Sequence, residues 1–122
     1  MVEVSEQRFE SLVADALDDI PQELAAAVEN VAVVVADWPT DVQLAGRRGT
    51  LLGLYEGVPL TRRDAVTYAG VMPDRITIFR GPHCARAVDE RDLAAQVRRT
   101  VLHEVGHYFG LSDRRLRELG WA

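Results

Sequence analysis

Two histidines four residues apart, followed at fixed distances by a glycine and an aspartate, constrain this chain more than any other feature. The stretch His103-Glu104-Val105-Gly106-His107-Tyr108-Phe109-Gly110-Leu111-Ser112-Asp113 reads H-E-x-x-H-x-x-G-x-x-D. Side chains four apart share one face of an α-helix, so the segment must be helical for both imidazoles to meet at one point. Gly110 can take the left-handed conformation that ends a helix and reverses the chain. Asp113, three residues on, can then swing back toward the histidines.

The flanking residues agree with that demand. Asp89 is placed to cap a long helix from Glu90 to Phe109, and a short helix is expected from Asp113 to Leu119, stopped by Gly120. Phe9, Leu12, Val13, Ala16 and Leu17 recur at helical spacing, which predicts an amphipathic helix from Ser5 to Asp18. Pro21 suits the first position of a second helix reaching Glu29, with Asp19 as its cap. The β-branched run Val31 to Ala36 reads as a central strand buried on both faces. Leu51 to Tyr55 is a second strand, in which Gly53 suggests a bulge or a close backbone approach. Residues 57–74 read as a long loop. Ile76 to Phe79 is the third strand, broken by Gly81-Pro82, with His83 and Cys84 in the loop that follows.

The residue types of the motif suit a metal. Imidazole nitrogen is a good ligand for zinc. Glu104 sits on a neighbouring face, where it can reach a water on the metal without ligating. His103, His107 and Asp113 as ligands would leave a fourth tetrahedral position open, the mark of a catalytic rather than a structural site. Zinc would bring that water's pKa toward neutrality, and Glu104 would take its proton and hand it to a leaving amine. Asp113 has a second reading as a cap or first-turn acid of the last helix, with Glu118 as the reserve ligand. Gly106, inside the helix, costs about 1 kcal/mol relative to Ala, which calls for a packing reason such as another backbone passing close. Tyr68 and Tyr108 are candidates to stabilise an oxyanion, Tyr108 reading better as packing. Arg98 and Arg99 read as a solvated face.

At 122 residues the chain is expected to form one domain, residues 1–122. A net charge of −5 argues against a nucleic-acid face. All 14 basic residues are arginine. A single cysteine excludes an intramolecular disulfide. No apolar run approaches a membrane span, and residues 1–10 lack an apolar signal core, so the expected location is the cytoplasm.

The motif resembles that of the zincin metallopeptidases, in the metzincin-type form with Asp as third ligand found in snapalysin-like enzymes. The chain's length and element order resemble those of minimal bacterial zincin-like proteins. That resemblance implies an α+β fold: a small mixed sheet of three to four strands packed on helices, with the long active-site helix near the C-terminus. It also implies zinc, a peptide or protein substrate, Ile76 to Phe79 as an inner strand, and Leu51 to Tyr55 as the edge strand where a peptide adds to the sheet. The chain departs from the metzincin pattern in one respect. Nine residues follow Asp113, and none is methionine.

Two other functions fit parts of the pattern. Bacterial rRNA-maturation endoribonucleases carry three ligands at the same spacing, as H-x-x-x-H-x-x-G-x-x-H, but Glu104 and Asp113 depart from that form. Arg62, Arg63, Arg98 and Arg99 would have to supply the RNA face. The third reading is a metal-stabilised module that binds peptides or partners without turnover.

Overall fold

A computed structural model describes residues 1–28, 30–47, 49–57 and 74–120, with the side chains of residues 23, 24 and 27 left aside. The elements run α1 (Glu6–Asp18), α2 (Gln22–Val28), β1 (Ala32–Ala36), α3 (Asp41–Leu44), β2 (Gly53–Glu56), β3 (Arg75–Phe79), α4 (Arg80–Arg86), α5 (Glu90–Tyr108) and α6 (Asp113–Leu119). The expected loop at 57–74 and Tyr68 lie almost wholly outside the described residues. No described helix is long and apolar enough to cross a membrane.

The three strands form one mixed sheet in the order β1-β3-β2. β3 is central, parallel to β1 through Val33↔Ile76 and Val35↔Ile78, and antiparallel to β2 through Gly53↔Ile78 and Tyr55↔Ile76. Ile76, Ile78 and Phe79 are fully buried and Thr77 nearly so, so β3 is covered on both faces. The α+β expectation and the inner position of Ile76 to Phe79 hold.

One face of the sheet packs on α1 and α5. Ser5 caps α1, its side chain accepting the Arg8 N–H at 3.0 Å, and Asp89 caps α5 by accepting from Asp92 at 2.7 Å. Leu93, Val97, Val101 and Val105 repeat every four residues along α5 and are fully buried. They meet Phe9, Leu12, Val13 and Ala16 of α1, with Ile76 and Ile78 above. Each such side chain contributes about 1.5–3 kcal/mol on leaving water, which holds the long helix rigidly under the sheet.

Three expectations need correction. The Val31 to Ala36 run is not a central strand: among the described strands β1 lies at an edge, and Val34 is 40% exposed. β-branched residues favour any pleated surface and do not report on how many neighbours a strand has. Gly81-Pro82 ends β3 but opens α4 rather than a loop. Proline is tolerated in a first helical turn, where its missing N–H has no partner to lose. Gly81 is the residue that fits there, because a Cβ would lie 2.3 Å from the Trp38 indole and 2.7 Å from the Asp37 carbonyl. His83 is therefore not a loop residue but a helical one with no exposed surface. The short α3 had no counterpart in the sequence reading.

Candidate metal centre

Three elements meet at the motif: the last turns of α5, strand β2, which lies at an edge among the described strands, and the start of α6. The end of α5 is set by local chemistry. Gly110, at φ +79°, gives its N–H to the His107 carbonyl at 2.9 Å, and Leu111 gives its N–H to the Gly106 carbonyl at 3.0 Å. This pair of bonds is the Schellman arrangement, which satisfies the final carbonyls of a helix and turns the chain back. Ser112 then caps α6, its hydroxyl accepting the Arg115 N–H at 3.1 Å. The cap is therefore Ser112, and Asp113 is the first residue inside α6.

That turn brings Asp113 over the histidines. The Nε2 atoms of His103 and His107 are 2.9 Å apart, and Asp113 Oδ1 lies 3.8 Å from each. Ligands at 2.0–2.2 Å around a tetrahedral ion stand about 3.3–3.6 Å from one another. The observed separations bracket that value, and a borderline His/His/Asp donor set suits zinc. Burial, and secondarily the neighbouring His107, hold the His103 pKa below its ordinary value, with Asp113 opposing. A neutral imidazole is the form that binds a metal.

Glu104 occupies a different setting. It is buried, at 8% exposure, and its carboxylate lies within 4.8 Å of the ligand nitrogens of both histidines. Oε1 accepts the backbone N–H of Tyr55 on β2 at 2.9 Å. Burial pushes its pKa up to about 7, against the pull of the Tyr55 N–H and of Arg47, while Asp113 adds to the rise. A divalent cation beside the histidines would oppose that shift.

Two glycines permit these approaches. A Cβ at Gly53 would lie 2.6 Å from Thr100 Cγ2 and 3.3 Å from Glu104 Cγ, so β2 rests directly on α5. This is the close approach expected at Gly53. At Gly106 a Cβ would lie 2.1 Å from Leu116 Cδ2. The packing reason for Gly106 is thus a side chain of α6, not a passing backbone. Leu116, fully buried, seats α6 in that notch.

The groups open into a cavity of about 680 Å³ lined by Arg47, Leu51, Tyr55, Leu111 and Ser112 besides the motif. A cavity of similar size, about 660 Å³, lies between Val2, Trp38 and Cys84 and contains neither His103 nor His107. Chemistry rather than volume distinguishes the two. Arg99 lines a smaller cavity of about 220 Å³ next to the site, with Thr100, His103 and Glu104; the remaining sequence candidates fall elsewhere. Glu118 pairs with Arg114 and Arg115. Arg98 pairs with Asp19 at 3.0 Å. Tyr108 is buried against Tyr55 and Phe109. The Tyr55 N–H and Arg47 were not anticipated. A backbone donor carries no residue-type signal, and Arg47 reaches the cavity only through the α3 turn.

No curated protein matches the chain. Among protein families, the one described as Zincin-like metallopeptidase matches residues 28–121, which takes in the whole sheet, α5 and α6. With about three quarters of its length covered, the chain belongs to the zincin-like metallopeptidase family.

Proposed function

We propose that this protein is a zinc-dependent peptidase in which His103, His107 and Asp113 hold the metal and Glu104 is the general base. The observation that carries the proposal is the convergence of His103 Nε2, His107 Nε2 and Asp113 Oδ1 on one ion-sized gap beside a buried carboxylate. Zinc in that gap would polarise the scissile carbonyl and make water more acidic.

The division of labour between the two carboxylates follows from their settings. Asp113 is 67% exposed at its side chain and free to close on an ion. Glu104 is held back on β2 through Oε1, which leaves Oε2 to take the proton of the attacking water and pass it to the leaving amine. Tyr55 N–H keeps that carboxylate oriented. The substrate would lie extended along β2 on the side away from β3, paired with backbone groups other than the Tyr55 N–H that Glu104 holds.

The test compares the zinc-loaded protein with Glu104→Gln on a library of short peptides. Chelator-sensitive hydrolysis that disappears in the variant, with zinc still bound, supports the proposal. Unchanged hydrolysis in the variant would overturn it. Binding without turnover by the parent protein would favour the peptide-binding module.

A further inference from the structure

Arg47 is the one cationic side chain, histidines aside, among the described residues that line the metal cavity. Besides the neutral phenol of Tyr55, the remaining ionisable groups there are the histidines, Glu104 and Asp113. A divalent ion would offset the two carboxylates, and the guanidinium would then set the sign of the cleft.

The chain builds a support for Arg47. Thr40 and Gln43 form a reciprocal capping box on α3, the Thr40 hydroxyl accepting at 3.1 Å and the Gln43 amide oxygen at 2.9 Å. The amide nitrogen of Gln43 also donates to Glu56 of β2 at 3.2 Å, and Glu56 pairs with Arg75 of β3 at 3.2 Å. α3 is thereby fastened to the sheet. The chain then turns through Gly46 at φ +75°, with the Arg47 N–H on the Leu44 carbonyl at 2.9 Å. The Gln43 carbonyl accepts Arg47 Nε at 2.9 Å. That bond fixes the base of the guanidinium and uses one of its five N–H donors. Among the described residues Arg47, like Arg86, Arg91, Arg99 and Arg117, pairs with no carboxylate, and of these five Arg47 is the one that lines the metal cavity. Its field nevertheless reaches Glu104.

We propose that Arg47 is a specificity-determining residue that binds a carboxylate of the peptide substrate, so that the enzyme prefers acidic peptides. This rests on the peptidase reading of the same site. The carboxylate has two chemical sources, an acidic side chain near the cleaved bond or the free C-terminus. Planar guanidinium matches either one.

The experiment measures binding to zinc-loaded Glu104→Gln, which cannot turn substrate over, alone and combined with Arg47→Gln or Arg47→Lys. The probes are peptides differing only by Glu against Gln at each position, and by free against amidated C-terminus. The expected result is a preference of about tenfold for one carboxylate form, abolished by Arg47→Gln, partly kept by Arg47→Lys and weakened by salt. The position of the effect identifies which carboxylate is read. In the active protein the same substitution should raise KM for the acidic peptide more than for its amide counterpart. Equal binding of acid and amide forms, or a preference that survives Arg47→Gln, overturns the proposal. Hydrolysis without charge preference would sink Arg47 and spare the peptidase. An Arg47-dependent preference without hydrolysis would do the reverse.

Discussion

The carboxylate of Glu104 on α5 accepts the backbone N–H of Tyr55 on β2, two residues 49 positions apart in sequence. The bond joins the helix that carries the histidines to the strand beside the cleft. Removing the charge but not the acceptor should separate chemistry from structure. Glu104→Gln is expected to keep the fold and the bound zinc while kcat falls about 10²–10⁴-fold, checked by metal analysis and peptide hydrolysis on one preparation.

Metal binding should stabilise the protein in proportion to its ligands. At a zinc concentration of 100 Kd the gain is about 2.7 kcal/mol, readable as a rise in melting temperature. His103→Ala and His107→Ala should abolish the rise. Asp113→Ala should reduce it, because both imidazole ligands remain. A full rise in Asp113→Ala would show that the aspartate serves only as a first-turn acid of α6.

Gly106→Ala places a methyl group 2.1 Å from Leu116 Cδ2. Overpacking of this kind costs about 1–3 kcal/mol, and here it should also lift α6 and carry Asp113 away from the histidines. Denaturation and zinc affinity should both worsen. Adding Leu116→Ala empties the notch and should restore zinc affinity more than stability. Stability and affinity that change in the same proportion throughout would argue against a positioning role.

Gly53→Ala meets Thr100 Cγ2 at 2.6 Å. The strand should move off α5, lengthening the Tyr55–Glu104 bond, with a stability loss of about 1–3 kcal/mol and a lower kcat. Thr100→Ser removes the offending methyl, so the double variant should recover much of both. No recovery would place the damage at Glu104 Cγ or Ile78 Cδ1, each 3.3 Å from the new atom.

His83 supplies a pH dependence independent of the metal. Its ring is fully buried against Phe9, neither nitrogen makes a hydrogen bond, and although Gln96 lies close its Oε1 is also unpaired. Burial lowers its pKa from 6.5 to about 4, with Gln96 opposing and Arg86 assisting. Between those values the unfolded chain binds more protons than the folded one, so stability is full above pH 6.5 and falls as the pH drops toward 4. The loss should reach about 3 kcal/mol at most. Urea denaturation from pH 7 to 4 should be flatter in His83→Leu.

The parts of this fold that the sequence reveals are those settled within a few residues. The helix bearing His103 and His107, its stop at Gly110 and the return to Asp113 all follow from caps and periodicity, and all are found. The edge placement of Val34, the burial of His83 and the aim of Arg47 depend on which elements pack together. Composition does not carry that information, because a residue's type sets a preference for burial but not which element will pack over it. Asp113 stands between these cases: its position near the histidines is local, but Leu116 seated on Gly106 is what fixes it.

That contrast bears on how the site assembles. The three proposed ligands lie within eleven consecutive residues, and the Schellman bonds close the turn between them. Contacts of such short range form early and survive local openings elsewhere. Zinc should therefore slow hydrogen exchange at the end of α5 and in α6 while leaving β1 almost untouched. A chain whose β2 has come loose could still hold its ion, yet its base would have no strand to rest on. Occupancy of the metal would then be a poor assay for a working enzyme.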